Sequence, residues 1–367
     1  MKAIETTFSD LGPDVLDFLL AWVRPRAMEL DAEVEAIREG LSEMARRGLL
    51  GLRAGKEYGG MDVSDVMFRA FQEALARCSG ALAFVQTQHQ SAVRFLAQSP
   101  NEDLKKRYLP RWCSGERMSG IAFSQLRKPG KAVLSARKTE GGWILDGRMP
   151  WLTGWGIFQD CVAAALTEDG QTWFGVVEMK ATDRFIPSEI MRLASMEVGQ
   201  TVSAEVRELF VPDEDTLYLR DGNWIHDNDM INIALQSPFA LGCAGAGIDV
   251  MREAFERKPI EAIGRAADVL EEELMRCRTE AYAAMQDRSD RQRSLRARAW
   301  AIELAGRCAH AAVAASGGQG NSVRHPAQRV YREALVFTVL AQTVPILEAT
   351  LDRMTRTSSS QSVGKGS

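Results

Sequence analysis

No uninterrupted run of about 18 apolar residues occurs in this 367-residue chain, so the sequence predicts no transmembrane helix. Histidine is scarce: there are four, and none stands in an HExxH or similar ligand spacing, which argues against a metal hydrolase. The six cysteines, Cys78, Cys113, Cys161, Cys243, Cys277 and Cys308, are scattered singly. That pattern predicts reduced, mostly buried thiols rather than a disulfide framework or a zinc site. An excess of one charge is missing as well. The 45 Lys and Arg against 49 Asp and Glu leave a net charge of -4, with the basic residues spread among the acids, so no nucleic-acid partner is expected. The N-terminus, "MKAIETTFSDLGPDV", lacks a signal-peptide apolar block, and a cytoplasmic protein is expected.

What is present is an ordinary globular composition, 46% hydrophobic and 26% charged, on a chain long enough for a large core. Three textures follow one another. Residues 1–117 carry apolar residues at three- and four-residue intervals, as in "VLDFLLAWVRPRAMELDAEVEAIREGLSEMARRGLLGL", and read as helices. "SPNEDLKKRYLPRW" reads as a helix opened by Ser-Pro with acids in its first turn. Residues 118–218 hold short apolar runs around Asp146-Gly147 and Asp169-Gly170, two hairpin signals, and predict an antiparallel β domain built as a barrel or sandwich. Residues 219–355 return to long helical stretches, and the Ser- and Gly-rich tail 356–367 is expected to be disordered. The fold class predicted is α+β, mainly α.

Several motifs in this order resemble the acyl-CoA dehydrogenase family over nearly the whole chain. They are Tyr58-Gly59-Gly60 after an early helix, "KKRYLPRWCSGE" before the β region, "GRMPWLTG" around Trp151 and Thr153, "ELFVPDE", and "SGGQGNSVRHPAQRVYREA". The resemblance implies an N-terminal helical domain, a central antiparallel β domain and a C-terminal four-helix bundle. It also implies FAD extended between the last two, an acyl thioester on CoA or a carrier protein as substrate, and a homodimer or homotetramer. The positions it assigns to FAD are Phe123, Ser124, Trp151, Thr153, Gly317, Gly318 and Thr343. The residue chemistry suits this: a flavin ring needs a flat aromatic neighbour and hydrogen-bond donors, and a spacing of two sets Trp151 and Thr153 on one strand face. Gly317-Gly318-x-Gly320 follows an Ala-rich helix rather than a strand, which excludes a dinucleotide fingerprint. It reads either as a helix cap or as bare backbone open to phosphates.

The chain departs from the family where the chemistry is done. Counting without gaps from Arg332, the family's Tyr-Glu-Gly-Thr becomes Leu340, Ala341, Gln342 and Thr343, so Ala341 stands at the glutamate position. The alternative family position for the base holds Asn232, and Ile233 replaces an arginine that helps to bind CoA. Positioned general-base catalysis contributes about 10²–10⁴-fold, and neither alanine nor asparagine supplies it. Asp229, one turn before Asn232, is a weak substitute candidate. His89, amid the helical residues of "FVQTQHQSAV", is another, because flavin monooxygenases of the same fold use a histidine near the ring. Three functions therefore remain: an FAD-dependent oxidoreductase acting on the CH–CH group of an acyl thioester or related substrate with a non-standard or absent base, a flavin-dependent monooxygenase or oxidase, and a non-catalytic acyl- or partner-binding protein.

Overall fold

Helical segments with explicit start signals build the N-terminal part of the chain. In the computed structural model, which describes residues 5, 7–127 and 133–355, short helical turns lead into α1 (Val34–Arg46). Then come α2 (Asp65–Cys78), α3 (Gly80–Ala97) and α4 (Glu102–Ser114). Ser64, Ser79 and Asn101 cap the last three, each accepting a backbone N–H with its side-chain oxygen at 3.2, 3.2 and 3.0 Å. The cap of α4 is thus Asn101 and not the Ser-Pro pair read from the sequence. Ser99 instead donates to the Leu217 carbonyl at 2.6 Å and accepts from the Asn101 N–H. The expected disordered tail lies outside the described residues.

The central strands are β1 (Ser119–Ala122), β2 (Leu134–Thr139), β3 (Gly142–Leu152), β4 (Asp160–Thr167), β5 (Thr172–Glu178), β6 (Phe185–Pro187), β7 (Val202–Pro212) and β8 (Thr216–Arg220). They join in one sheet of order β6-β7-β3-β2-β4-β5-β8, with β1 added on β4. Most pairings are antiparallel, as expected, but β1 and β2 both pair with β4 in parallel. The Asp169-Gly170 turn does connect a hairpin, β4 to β5, with Leu166 opposite Thr172. The Asp146-Gly147 pair does not. Strand β3 runs straight through it with a bulge between Leu145 and Gly147, and the turn falls at Glu140-Gly141, where Thr139 faces Gly142. Gly147 has φ +131°, and a Cβ there would lie 2.3 Å from the Val133 carbonyl oxygen. The glycine thus serves a close backbone approach within a strand.

The chain divides into two compact units, Met1–Asn228 and Asp229–Ser367, and in the first the helices and the sheet share one core. In the first, Ala92, Val93 and Leu96 of α3 and Leu104, Leu109 and Trp112 of α4 cluster with Val162, Phe174, Val176 and Leu217 of the sheet. Each such side chain contributes about 1.5–3 kcal/mol by leaving water. A buried carboxylate fastens the same layers. Asp160 of β4 accepts from the Trp112 indole N–H at 3.0 Å and from Arg117 Nε at 2.9 Å, with a second Arg117 contact beside it.

After α5 (Trp224–Ile231), which crosses the boundary, the second unit contains α6 (Ser237–Arg257), α7 (Glu261–Gln286), α8 (Arg291–Ser316) and α9 (Pro326–Val339). A fifth, shorter helix, α10 (Val344–Met354), packs on α8. Helices α6 and α8 approach closely: a Cβ on Gly247 would come within 2.8 Å of the Cys308 backbone. The segment Ile233–Arg257 has a mean hydropathy of 1.3 and passes for a membrane span by length and composition, yet 89% of the apolar window is buried inside the protein. All six cysteines are buried thiols outside any disulfide, as their spacing predicts.

Candidate functional site

The residues singled out in the first unit gather at the start of the sheet and at the end of β3. Phe123 and Ser124 directly follow β1, Ser124 opening a short 3-10 turn. The Phe123 ring is nearly buried and packs 5.0 Å from Phe95 and 6.0 Å from Phe174, centroid to centroid. Its ring thus belongs to the aromatic core. The Ser124 hydroxyl is shut off from solvent and has no hydrogen-bond partner among the described residues, although leaving a hydroxyl so costs about 1–3 kcal/mol. Trp151, on β3, is 50% exposed, whereas Thr153 is buried and shares a hydrogen bond with Thr201 Oγ1 at 3.1 Å. Gly154 turns the chain immediately after, with φ +93°, because any Cβ there would strike the Phe158 ring at 2.2 Å. An exposed indole, a threonine hydroxyl and an unpartnered serine hydroxyl are the groups that a flat, hydrogen-bonding heterocycle requires.

His89 lies in the middle of α3, fully buried. The Ser119 N–H donates to its Nδ1 at 3.1 Å, so the neutral ring carries its proton on Nε2, an atom without a partner among the described residues. Burial pushes the pKa from 6.5 down to about 4, against a smaller upward pull from the backbone at Trp112, Ser119 and Leu50. The imidazole is therefore neutral at pH 7 and can donate from Nε2. Its established bond joins α3 to β1.

In the second unit, residues 340–343 form the turn between α9 and α10. Leu340 leaves the helix with an extended backbone (φ -61°, ψ 123°), and Ala341 takes the left-handed region with φ +49°. Thr343 is the N-cap of α10 but makes no side-chain cap bond. The left-handed backbone that glycine favours thus falls on Ala341 and not on Gln342, which occupies the family's glycine position. Sliding the count by one residue would put Leu340 at the glutamate position, and the turn has no carboxylate in either register.

Asn232 follows α5 and caps a 3-10 turn, and its Oδ1 accepts from Arg288 Nη1 at 3.3 Å. Asp229 sits in the last turn of α5 and its carbonyl accepts from the Asn232 N–H, so it lies at a helix end rather than at a helix start. Ile233 is buried among Leu295, Ile302 and Ile346. Gly317 terminates α8 with φ +62°. Both Gly317 and Gly318 are exposed with nothing within 4 Å of a Cβ position, which suits an open cap or an approaching phosphate equally.

One residue that periodicity alone conceals is Arg298. It occupies the α8 face between Leu295 and Ile302, three and four residues apart, and is 1% exposed. Its Nη2 donates to the Leu340 carbonyl at 3.0 Å, while Nε and Nη1 have no hydrogen-bond partner among the described residues. Burial pushes its pKa down to about 9, so it stays charged at neutral pH. The available signal in the sequence was a charged residue on an otherwise apolar helix stripe.

Comparison with known proteins agrees with this architecture. Residues 10–116 match the family model "Acyl-CoA dehydrogenase, N-terminal domain". Isovaleryl-CoA dehydrogenase, mitochondrial, of Pongo abelii is 30% identical over 149 residues, 39% of this chain and 35% of that protein. The 3-(aryl)acrylate reductase of Clostridium sporogenes is 27% identical over 361 residues, covering 88% of this chain and 91% of the relative. Among solved structures, acyl-CoA dehydrogenase complexed with FAD from Bacillus anthracis superposes with a TM-score of 0.78 at 18% identity, over 96% of this chain and 67% of that one. Residues 10–116 thus match the acyl-CoA dehydrogenase N-terminal domain, and the chain as a whole has the fold of solved acyl-CoA dehydrogenases.

Proposed function

We propose that this protein is an FAD-dependent oxidoreductase of the acyl-CoA dehydrogenase type, acting on the CH–CH group of an acyl thioester or a related substrate with a non-standard or absent base. The observation that carries the cofactor is the buried, unpartnered Ser124 hydroxyl together with the half-exposed Trp151 on the strand leading to Thr153. Bound flavin would supply the hydride-accepting chemistry. In the first unit Ser124 and Thr153 would hydrogen-bond it, Trp151 would cover its ring, and Phe123 would contribute backbone rather than its packed ring. In the second unit Gly317 and Gly318 offer bare backbone to phosphate, and Thr343 offers a hydroxyl. The likeness to a solved FAD complex and to reductase and dehydrogenase relatives supports the same reading.

Proton transfer is where the chain's own residues depart from the family. Ala341 has no proton to exchange, and the Asn232 amide accepts a hydrogen bond from Arg288. His89 is neutral and engaged with Ser119, and Asp229 belongs to the end of α5. Slow carbon-acid chemistry, or a substrate with a more acidic proton, follows from this set. Self-association is part of the proposal. Tyr331, Leu335 and Val339 expose one apolar stripe on α9, and Val344, Leu347, Leu351 and Met354 another on α10, surfaces that a second copy would cover. A cytoplasmic location belongs to the same reading.

The test is the visible spectrum of the purified protein and of protein incubated with FAD and then desalted. Retention of a flavin band is expected, and its loss from a Ser124→Ala, Trp151→Ala double variant is expected too. A colourless protein that takes up no flavin would favour the non-catalytic, partner-binding function. A long-lived oxygen adduct after chemical reduction would favour the monooxygenase.

A further inference from the structure

We propose that Arg298 is the recognition point for a free carboxylate on the substrate, bound beside the Leu340–Ala341 turn. The inference deepens the proposed oxidoreductase function by naming its substrate class, and it rests on that reading for the reaction but not for the binding event.

A guanidinium buried to 1% exposure is costly unless its donors are met. Of its three nitrogens only Nη2 has a partner among the described residues, and that partner is a neutral carbonyl. No carboxylate pairs with Arg298 among the described residues, and burial is the sole cause of its lowered pKa. Nη2 has a second N–H, so one edge of the guanidinium, Nη2 with either Nε or Nη1, is left to match a carboxylate with two parallel hydrogen bonds.

The surroundings narrow the ligand further. Leu295 and Ile302, on the same face of α8, cluster with Ile233 and Ile346, so the cation stands in an apolar wall. A hydrated, doubly charged phosphate would lose too much solvation there, whereas a carboxylate on an aliphatic or aryl body keeps its apolar part in contact. The first turn of α10, whose N-cap Thr343 makes no side-chain bond, adds the positive end of an eleven-residue helix four residues from Leu340. The turn itself contributes no acid. Ala341 brings no charge to the turn. Ile233 also removes the charge that the family uses toward CoA, while Arg298 introduces one on the apolar cluster that Ile233 joins.

The experiment is calorimetric titration of the full-length protein with cinnamate and with cinnamamide, which share a shape and differ in charge. Cinnamate should bind about 100-fold more tightly than the amide, the value of two charge-assisted hydrogen bonds. Arg298→Met should abolish that preference, and Arg298→Lys, which keeps the charge without the fork, should keep a small part of it. The comparison of the two probes in the unaltered protein needs no variant, so misfolding of Arg298→Met would leave the test intact. Equal affinity for both probes, no cinnamate binding at millimolar concentration, or an unchanged preference in Arg298→Met would overturn the proposal. So would displacement of cinnamate by equimolar chloride, which would mark an unselective anion site. Calorimetry reads binding whether or not flavin is present, so failure here is distinct from a colourless protein.

Discussion

Replacing Asp160 by alanine should destabilise the first unit by about 2–4 kcal/mol, the sum of the contacts it breaks. The magnitude can be assembled from its contacts. Asp160 is 1% exposed and Trp112 is fully buried, so the indole N–H would lose its only bond without reaching water; that alone costs about 1–3 kcal/mol. The Arg117 side chain is 22% exposed and can rehydrate in part, so its share is nearer 1 kcal/mol. Asp160→Asn keeps one acceptor oxygen and should lose about half as much. Urea unfolding followed by tryptophan fluorescence is the assay, because seven of the eight tryptophans lie in residues 1–228 and only Trp300 lies in the second unit. A double-mutant cycle with Trp112→Phe should return a coupling of about 1–2 kcal/mol. A loss below about 0.5 kcal/mol for Asp160→Ala, the range of an ordinary surface change, would refute the claim that this carboxylate fastens helices to sheet.

Three further outcomes are expected. His89 has a folded pKa of about 4 against 6.5, so between those values the unfolded chain binds a proton that the native one refuses, and stability must fall as pH drops through that window. At about 1.4 kcal/mol per unit the loss comes to about 3.5 kcal/mol, and a His89→Gln variant should show a correspondingly flatter acid limb in pH-dependent unfolding. Ala341→Gly should leave stability unchanged or raise it by up to about 1 kcal/mol in thermal unfolding, since φ +49° suits glycine better than alanine. A clear loss would show that the left-handed turn is misassigned. The proposed self-association should be lost in sedimentation when Leu335→Glu is combined with Leu351→Glu, and an unchanged sedimentation coefficient would exclude those stripes as the interface.

Much of the fold was legible because local signals and the final packing agreed. Ser64 and Ser79 cap the helices they precede, and the Asp169-Gly170 turn closes the hairpin its composition announces. The same dipeptide at 146–147 misled, since glycine there answers to a neighbouring carbonyl 2.3 Å from its would-be Cβ, a tertiary demand invisible in a local window. The parallel pairings of β4 were equally hidden, because strand direction is decided by connections and not by alternation. Of the site, the count from Arg332 proposes Ala341 at the glutamate position, and motif order proposes the flavin positions. Arg298 could not be found that way: its significance lies in the partners its nitrogens lack, and a charge on one helix stripe does not reveal them.

The most direct measurement is anaerobic addition of an acyl-CoA to the flavin-loaded protein, followed by its visible band. A bound flavin that bleaches slowly in the native protein, and about 10²–10⁴-fold faster in Ala341→Glu, is the predicted result. Rapid bleaching without that substitution, left unchanged by it, would contradict the account.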